Sequence, residues 1–305
     1  MNISRYSFSF KGQTIEGALL EEGGAYSLIQ PWVSLGDPSL SLHLEDLKGK
    51  RSLPLTQRAL EIMAMDKKAK DQKYTLIPQS VPASHVLVGD EFLIEAELLM
   101  GVRTFKIKIG DDLEKELSLL NEIESKMNLG AFHLRLDANM KFSLESAKRF
   151  FSQLSEKLLC AIEFVEDPLR GTEGEWRDFA DNFNLKIAHD FAPAEFREVA
   201  DVWVLKPSRQ NPWPWVEKAA HDLRRIVITT ALDHPLGQVI AAYEASKILE
   251  RDPLLIDDCG LLSQKQVGIE SPLKRNGAYL DCSDLNGYGF ALGSMLSKLK
   301  WEDLS

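Results

Sequence analysis

From about residue 80 onward the sequence repeats one unit: a short apolar run, a polar turn, and a longer segment with helical periodicity. The apolar runs mostly lack strict alternation, which is typical of parallel strands that are buried on both faces. There are eight such runs: Ser84–Gly89, Thr104–Ile109, His133–Asp137, Ala161–Val165, Lys186–His189, Val202–Leu205, Arg225–Thr230 and Leu254–Ile256. Eight strands separated by helices predict an α/β fold with a closed parallel barrel.

The segments between these runs have the spacing of amphipathic helices. Leu113, Leu117 and Leu120 share one face of the second segment, and Phe150 and Leu154 share one face of the third. The repeat ends after the eighth run, so the predicted barrel is a (β/α)7β variant of the TIM barrel.

The two ends of the chain do not follow this repeat. Their predicted elements are a hairpin, a helix and a late strand: Phe8–Phe10 with Thr14–Leu20, Gln57–Asp66, and Ala278–Asp281. We therefore expect residues 1–79 to form an α+β capping domain and residues 80–269 to form the barrel. Residues 270–305 are expected to return to the capping domain.

The composition excludes several classes of protein. A formal net charge of −10 argues against a nucleic-acid-binding protein, which needs a basic face. No apolar stretch is long enough to cross a bilayer, and the first residues lack the apolar core of a signal peptide. Three irregularly spaced cysteines do not form a disulfide framework. We expect a cytoplasmic protein that acts on a small molecule; nothing in the sequence indicates an oligomeric state.

Charged and polar residues end five successive predicted strands. In chain order they are Lys106 with Lys108, Arg135 with Asp137 and Asn139, Glu166, Asp190, and Lys206. Active residues of such barrels lie at the carboxyl ends of the strands. Because each gap between these strand ends holds about one helix and one strand, the side chains are expected to converge at one height.

Alternation along a strand decides which of these side chains face inward. Lys106 and Lys108 share a face, and Asp137 shares its face with Arg135, so all four are expected to point into the barrel.

Two further ionisable residues on the strands are expected to point away from the site. Glu163 is three positions from Glu166, and His189 is adjacent to Asp190. By strand alternation each lies on the opposite face from its neighbour in the site, so each is expected to have a supporting or outer role.

Asp137, Glu166 and Asp190 form the predicted metal site. Three converging carboxylates do not all stay ionised without a cation, and oxygen ligands favour magnesium over zinc. The alternative interpretation is a set of salt bridges with the neighbouring lysines. Lys108 and Lys206 flank the cluster from the second and sixth strands.

This layout suits the removal of a proton from the carbon next to a carboxylate. Such a proton is only weakly acidic, and a dication near both carboxylate oxygens stabilises the enediolate that forms. A lysine in its neutral form can be the base.

The strand-end motifs resemble those of the muconate-lactonizing branch of the enolase superfamily. They are K-x-K at Lys106–Lys108, D-x-N at Asp137–Asn139, E-x-P at Glu166–Pro168, the aspartate Asp190, and K-P at Lys206-Pro207. The resemblance covers the whole chain. It departs after Asp190, where Phe191-Ala192-Pro193 replaces the usual glutamate-containing continuation.

Within that branch the chain most resembles the o-succinylbenzoate synthases of menaquinone biosynthesis. The segments that carry this likeness are Leu134–Asn139, Phe164–Pro168, Val227–Thr230 and Leu236-Gly237. The resemblance implies magnesium-dependent syn-dehydration of 2-succinyl-6-hydroxy-2,4-cyclohexadiene-1-carboxylate to 2-succinylbenzoate.

The same resemblance implies a role for each site residue. Lys108 would remove the α-proton and return it to the departing hydroxyl, while Lys206 would stabilise the enediolate. The magnesium ligands would be Asp137, Glu166 and Asp190. Substrate-binding or supporting residues would be Lys106, Arg135, Asn139, Thr229 and Thr230, with the two threonines near the succinyl carboxylate.

Two alternatives remain open from the sequence. One is an N-acylamino acid racemase or dipeptide epimerase of the same branch, with Lys108 and Lys206 as two opposed bases. Dipeptide epimerases often have D-x-D on strand eight, whereas this strand ends Asp257-Asp258-Cys259. The other is a metal-binding barrel without catalytic activity.

Overall fold

The computed structural model describes residues 1–10, 12–49, 51–190, 197–262, 269 and 271–304. Across these residues, no helix has the length and apolar character that a membrane crossing requires. The departure predicted at Phe191–Pro193 lies outside the described residues.

The N-terminal region is an antiparallel sheet covered by two helices. Its elements are β1 (Asn2–Phe10), β2 (Gln13–Glu22), β3 (Ala25–Ile29), α1 (Leu40–Lys48) and α2 (Pro54–Asp71). The predicted hairpin is confirmed as β1–β2. The first strand begins earlier than predicted, at Asn2, and the second strand runs on to Glu22. Gly23 and Gly24 have φ of +60° and +82° and make the turn to β3, a conformation open to glycine at little cost.

Parallel strands form the predicted barrel. They are β4 (Val86–Leu87), β5 (Thr104–Lys108), β6 (His133–Asp137), β7 (Ile162–Glu166), β8 (Ile187–Asp190), β9 (Val202–Leu205) and β10 (Arg225–Ile228). Each pairs with the next along the chain in one seven-stranded sheet. Consecutive parallel neighbours require a crossover between each pair, which is the arrangement of a barrel.

The eighth predicted run closes this sheet without forming a regular strand. Cys259 N donates to Ala83 O at 2.7 Å, and Gly260 N donates to Ile228 O at 2.8 Å, so this segment bridges β4 and β10. The predicted bounds Leu254–Ile256 were wrong, because Leu254 is exposed and the bridging extends to Gly260. The apolar run and the hydrogen-bonded segment therefore overlap only in part.

Helices pack on the outside of the barrel. They are α3 (Glu91–Leu99), α4 (Leu113–Lys126), α5 (Leu144–Phe151), α6 (Glu156–Ala161), α7 (Glu173–Phe183), α8 (Trp213–His221) and α9 (Pro235–Arg251). Capping explains where several begin: Thr172 and Glu175 form a reciprocal capping box at the start of α7. The described residues between β8 and β9 contain no helix.

The barrel interior is apolar below the carboxyl ends of its strands. The buried cluster there consists of Phe164, Ala188, Val202, Val204 and Val227. Each of these residues lies two or four positions before a predicted site residue on the same strand or directly after it. Because side chains alternate along a strand, the site residues point to the same interior and lie directly above this cluster. The helices pack on the outer faces of the strands in a second, larger core.

The C-terminal region contains β11 (Lys274–Asn276), β12 (Tyr279–Asp281), α10 (Gly293–Leu296) and β13 (Glu302–Asp303). β13 pairs with β1 of the N-terminal sheet. Buried Asp66 of α2 also joins the two regions, because it accepts hydrogen bonds from Tyr26 N at 2.8 Å and Phe290 N at 2.9 Å. The domain boundaries at residues 79 and 269 stay predictions.

Candidate active site

The charged residues predicted at the strand ends converge at the mouth of the barrel. Lys108 is paired in register with Asp137, and Asp137 with Glu166. Parallel neighbours in register carry their side chains at one level, so three adjacent strands present one lysine and two carboxylates together.

Lys106 lies between two of the carboxylates. Its Nζ is 2.8 Å from Asp137 Oδ2 and 2.7 Å from Glu166 Oε1. Burial alone lowers the pKa of a lysine, but the charges of Glu166 and Asp137 outweigh it and hold the pKa of Lys106 above its usual value. Lys106 is therefore a fixed positive charge that draws two carboxylates to one point.

Lys108 reaches the same aspartate from the more exposed side. Its Nζ is 3.0 Å from Asp137 Oδ2. The other oxygen, Oδ1, accepts a hydrogen bond from Asn139 Nδ2 at 2.6 Å, and Asn139 has the positive φ of 46° that lets its side chain turn back. Burial raises the pKa of Asp137, but Lys106 and Lys108 reverse the shift, and the pKa lies below its usual value.

Asp190 and Lys206 form an ion pair on the other side of the mouth. Lys206 follows the last residue of β9, four strands from the β5 that carries Lys108. In the eight-membered ring closed by residues 255–260, three strands separate β5 from β9 in either direction, so the two lysines face each other. Lys206 also keeps the pKa of Asp190 low, although burial acts to raise it.

Glu166 differs from its two carboxylate neighbours. Burial, together with repulsion from Asp137 and Asp190, outweighs the attraction of Lys106 and raises the pKa of Glu166 to about 7. At the position of Glu166, the negative charge of the neighbouring carboxylates is therefore not fully neutralised by the nearby lysines.

The donor set fits a magnesium ion in its chemistry. Asp137 and Glu166 already direct oxygens to one shared cation, the ammonium of Lys106. Asp190 is a third hard oxygen donor, close enough for its charge to act on Glu166. No group of three or more acidic, histidine or cysteine side chains is gathered as a ready metal site among the residues that the structure describes. The lysine pairings account for this, since Asp190 is drawn toward Lys206.

Asp167 and His189 support the carboxylates from behind. Sequence reasoning gave His189 a supporting or outer role and gave Asp167 none. Asp167 Oδ1 accepts hydrogen bonds from His189 Nδ1 at 2.8 Å and from Asp190 N at 3.2 Å. The ring of His189 packs against Trp176 of α7, outside the barrel, as expected from alternation. In the sequence, the only signal for Asp167 is its position directly after Glu166. In the structure its φ of 46° lies in the left-handed region, where a non-glycine residue is strained.

Arg135 lies below the mouth and is fully buried. Its guanidinium donates to Glu163 Oε2 at 2.7 Å and to Asp258 O at 2.6 Å, and it stacks on Phe164 at 4.6 Å from the ring centroid. Glu163 lies outside the mouth, as expected, but it does not face away from inward-pointing Arg135, and that part of the prediction is wrong. The β-bulge where β6 meets β7, at Leu134 and Arg135, breaks the alternation on which that prediction rested.

Thr229 and Thr230 are buried beside the segment that closes the barrel. Thr229 N donates to Leu205 O at 2.9 Å, and Thr230 N donates to Gly260 O at 3.2 Å. A Cβ at Gly260 would lie 2.8 Å from the methyl group of Thr229, so a glycine is needed for this close approach.

Two family models match the chain. Residues 4–69 match "O-succinylbenzoate synthase, N-terminal domain", and residues 92–203 match "Enolase C-terminal domain-like". The chain is also 26% identical to an o-succinylbenzoate synthase of Bdellovibrio bacteriovorus, over 95% of this chain and 91% of that protein.

Solved structures share the fold at low sequence identity. A mandelate racemase/muconate lactonizing enzyme from Roseiflexus sp. has a TM-score of 0.75 and 14% identity over 94% of this chain and 96% of its own. A dipeptide epimerase from Enterococcus faecalis has a TM-score of 0.73 and 16% identity over 95% and 97% of the two chains. The predicted modified TIM barrel with an α+β companion is thereby confirmed. The match of residues 92–203 to the enolase C-terminal model confirms the resemblance to the enolase superfamily that the strand-end motifs indicated.

Proposed function

We propose that this chain is an o-succinylbenzoate synthase. It would dehydrate 2-succinyl-6-hydroxy-2,4-cyclohexadiene-1-carboxylate to 2-succinylbenzoate in menaquinone biosynthesis, in the cytoplasm. The observation that carries the proposal is the mouth of the barrel, where Lys108 and Lys206 oppose each other across three carboxylates. The match to the synthase N-terminal model and the Bdellovibrio relative support this substrate.

Asp137, Glu166 and Asp190 would hold one Mg²⁺. When bound, Mg²⁺ supplies positive charge next to the carboxylate of the substrate and so favours the enediolate. Asp190 would exchange its contact with Lys206 for this role, which leaves the ammonium of Lys206 available to the substrate.

Lys108 would be the base and then the acid. In its neutral form, Nζ takes the proton from the carbon next to the carboxylate, and the electron pair of that C–H bond enters the enediolate. When the enediolate collapses, the C–O bond to the ring hydroxyl breaks, and Lys108 gives its proton to the departing oxygen as water. One residue on one face serves both steps, so the elimination is syn.

Lys206 and Lys106 would remain charged throughout. Lys206 faces Lys108 across the ring and would stabilise the enediolate electrostatically from the opposite face. Lys106 holds Asp137 and Glu166 together, as its two short contacts show. Thr229 and Thr230, on the β10 side of the mouth, would contact the succinyl carboxylate.

The second candidate is a racemase or epimerase, and the opposed lysines favour it as a two-base arrangement. Dipeptide epimerases often have a D-x-D motif on strand eight that holds the substrate ammonium. Here Asp257 is paired with Arg225, and the Asp258 carboxylate accepts a hydrogen bond from Thr104 Oγ1 at 2.6 Å. Both acidic side chains therefore already have partners, which favours the synthase.

The test is a direct assay of both reactions with purified protein and Mg²⁺. The cyclohexadiene carboxylate should give 2-succinylbenzoate, followed by ultraviolet absorbance and NMR. An N-acylamino acid and a dipeptide are incubated in D₂O in parallel, and deuterium at the α-carbon is measured. Deuterium exchange with inversion at the α-carbon of the amino-acid substrates, without dehydration of the cyclohexadiene carboxylate, would identify the protein as a racemase and contradict the synthase proposal.

A further inference from the structure

Lys206 lies just beyond the end of β9, so its direction depends on the loop that follows it. Lys206 O accepts hydrogen bonds from Arg209 N at 2.8 Å and Gln210 N at 3.2 Å, which begins a turn. A catalytic group needs its backbone held as well as its side chain, because a displacement of about 1 Å can reduce a rate about 100-fold.

Arg58 of α2 holds this loop from the N-terminal region. Its Nε donates a hydrogen bond to Pro207 O at 2.8 Å, in a fully buried contact between residues 149 positions apart. Pro207 is the residue directly after Lys206, and its ring fixes its own φ. A hydrogen bond to this carbonyl therefore fixes the Pro207–Ser208 peptide unit. Because the φ of Pro207 is fixed as well, it also limits the movement of the Lys206–Pro207 unit.

Buried groups from the barrel helices hold the guanidinium of Arg58 in place. Glu244 of α9 lies 3.4 Å from Nη2, and its second oxygen accepts a hydrogen bond from Trp213 Nε1 at 2.9 Å. Arg58 and Glu244 have side-chain exposures of 7% and 3%. The planar guanidinium can bind a carbonyl and a carboxylate in fixed directions, which a lysine cannot do.

Stability alone does not explain this buried pair. Removing two charges from water costs several kcal/mol per ion, and well-packed apolar residues often do as well or better. What an apolar pair cannot provide is a donor for Pro207 O. The network therefore serves a defined backbone position.

We propose that Arg58 is a positioning residue for Lys206. It acts through the carbonyl of Pro207 and makes the N-terminal region part of the catalytic geometry. The proposal rests on the proposed role of Lys206 in the reaction.

The experiment measures kcat and KM for the cyclohexadiene carboxylate in Arg58→Met, Arg58→Lys and Arg58→Ala. We expect kcat to fall about 10- to 100-fold in Arg58→Met with KM within about threefold, because the lysine is displaced while the substrate contacts remain. Arg58→Lys should recover part of the loss. Added guanidinium ion should raise kcat of Arg58→Ala.

Glu61→Gln is the matched control. It removes the exposed partner of the same arginine, 3.0 Å from Nη1, and leaves the Pro207 contact in place, so kcat should not change. Circular dichroism and thermal unfolding verify that every variant is folded. A folded Arg58→Met enzyme with normal kcat would overturn the proposal.

Lys206→Ala separates this inference from the proposed function. Loss of activity in Lys206→Ala with normal kcat in Arg58→Met refutes only the positioning role. Full activity in Lys206→Ala refutes the proposed role of the lysine itself. A loss of kcat in Arg58→Met that guanidinium does not restore in Arg58→Ala, with the Tm falling in parallel, would reduce Arg58 to a structural residue.

Discussion

The interior of the barrel contains two charged layers that follow different rules. In the upper layer at the mouth, each ion pair described above joins a carboxylate to a flexible lysine. In the lower layer, a single fully buried arginine, Arg135, is fixed by Glu163, by the carbonyl of Asp258 and by the ring of Phe164. Arginine does not lose its proton in proteins, whereas lysine and carboxylates exchange protons and partners. We therefore expect the chemistry in the upper layer and the rigidity in the lower.

The largest effect should come from replacing the proposed base. We expect Lys108→Ala to lower kcat by about 10²- to 10⁴-fold, because a general base typically contributes that much to proton transfer. Mg²⁺ binding and the fold should persist, as measured by calorimetry and circular dichroism. Lys141→Ala, which removes a nearby ion pair with Asp111, is the control and should stay active. Turnover by Lys108→Ala close to the unchanged rate would contradict the division between layers.

Arg135→Met tests the lower layer. The substitution leaves partly buried Glu163 and Asp258 O without their partner, so the free energy of unfolding should fall by up to about 3–5 kcal/mol. Urea unfolding measures this loss. Arg251→Met, which breaks an exposed pair with Glu217, should leave the unfolding curve unchanged. A stable Arg135→Met protein would show that the lower layer is not structural.

The pKa of Glu166 makes the upper layer sensitive to pH. Because this pKa is raised to about 7, protons compete with Mg²⁺ below that value, and the affinity should fall up to about tenfold per pH unit. In the metal-free protein the folded state holds the proton of Glu166 more tightly than the unfolded state does. The resulting contribution to the free energy of unfolding is fully present below the pKa of the unfolded chain and is lost as the pH rises through about 7.

Calorimetric titration of Mg²⁺ between pH 6 and pH 8 tests this pH dependence. Glu166→Gln is the reference, since it should bind weakly at every pH and lose the dependence. Equal affinities for the unchanged protein at pH 6 and pH 8 would exclude Glu166 as the group responsible.

The smallest effect concerns the amide beside Asp137. Asn139→Ala removes the 2.6 Å hydrogen bond to Asp137 Oδ1, and loss of such a supporting bond typically weakens metal binding about 10-fold or somewhat more. Calorimetry with Mg²⁺ measures the change, and Asn139→Gln tests whether a longer amide can substitute. An unchanged dissociation constant in Asn139→Ala would assign Asn139 a role in the turn alone.

The sequence predicted the upper layer better than the lower. Lys106, Lys108 and Asp137 follow directly from strand ends and alternation, because regular strands translate position into direction. Alternation failed at Glu163, where the β-bulge adds a residue to β7. Only the structure reveals such a bulge, since no residue type marks it.

Contacts between distant segments were equally beyond sequence reasoning. Arg58 contacts Pro207 across 149 residues, and neither residue carries a local motif for the contact. The closing segment was misplaced because apolar character located it at Leu254, whereas the hydrogen bonds run through Cys259 and Gly260. The hydrogen bonds of Cys259 and Gly260 depend on the local backbone conformation, which the amino-acid composition of the segment does not reveal.

The closure of the barrel by Cys259 and Gly260 has a consequence for biosynthesis. Ser84 and Cys259 are bridging partners separated by most of the chain, and contacts of such long range slow folding. During translation the strands that carry the candidate site leave the ribosome before the segment that completes the ring. The charged side chains from Lys106 to Lys206 therefore emerge before the ring can close, and the apolar inner face of the strands stays accessible until Gly260 has been synthesised.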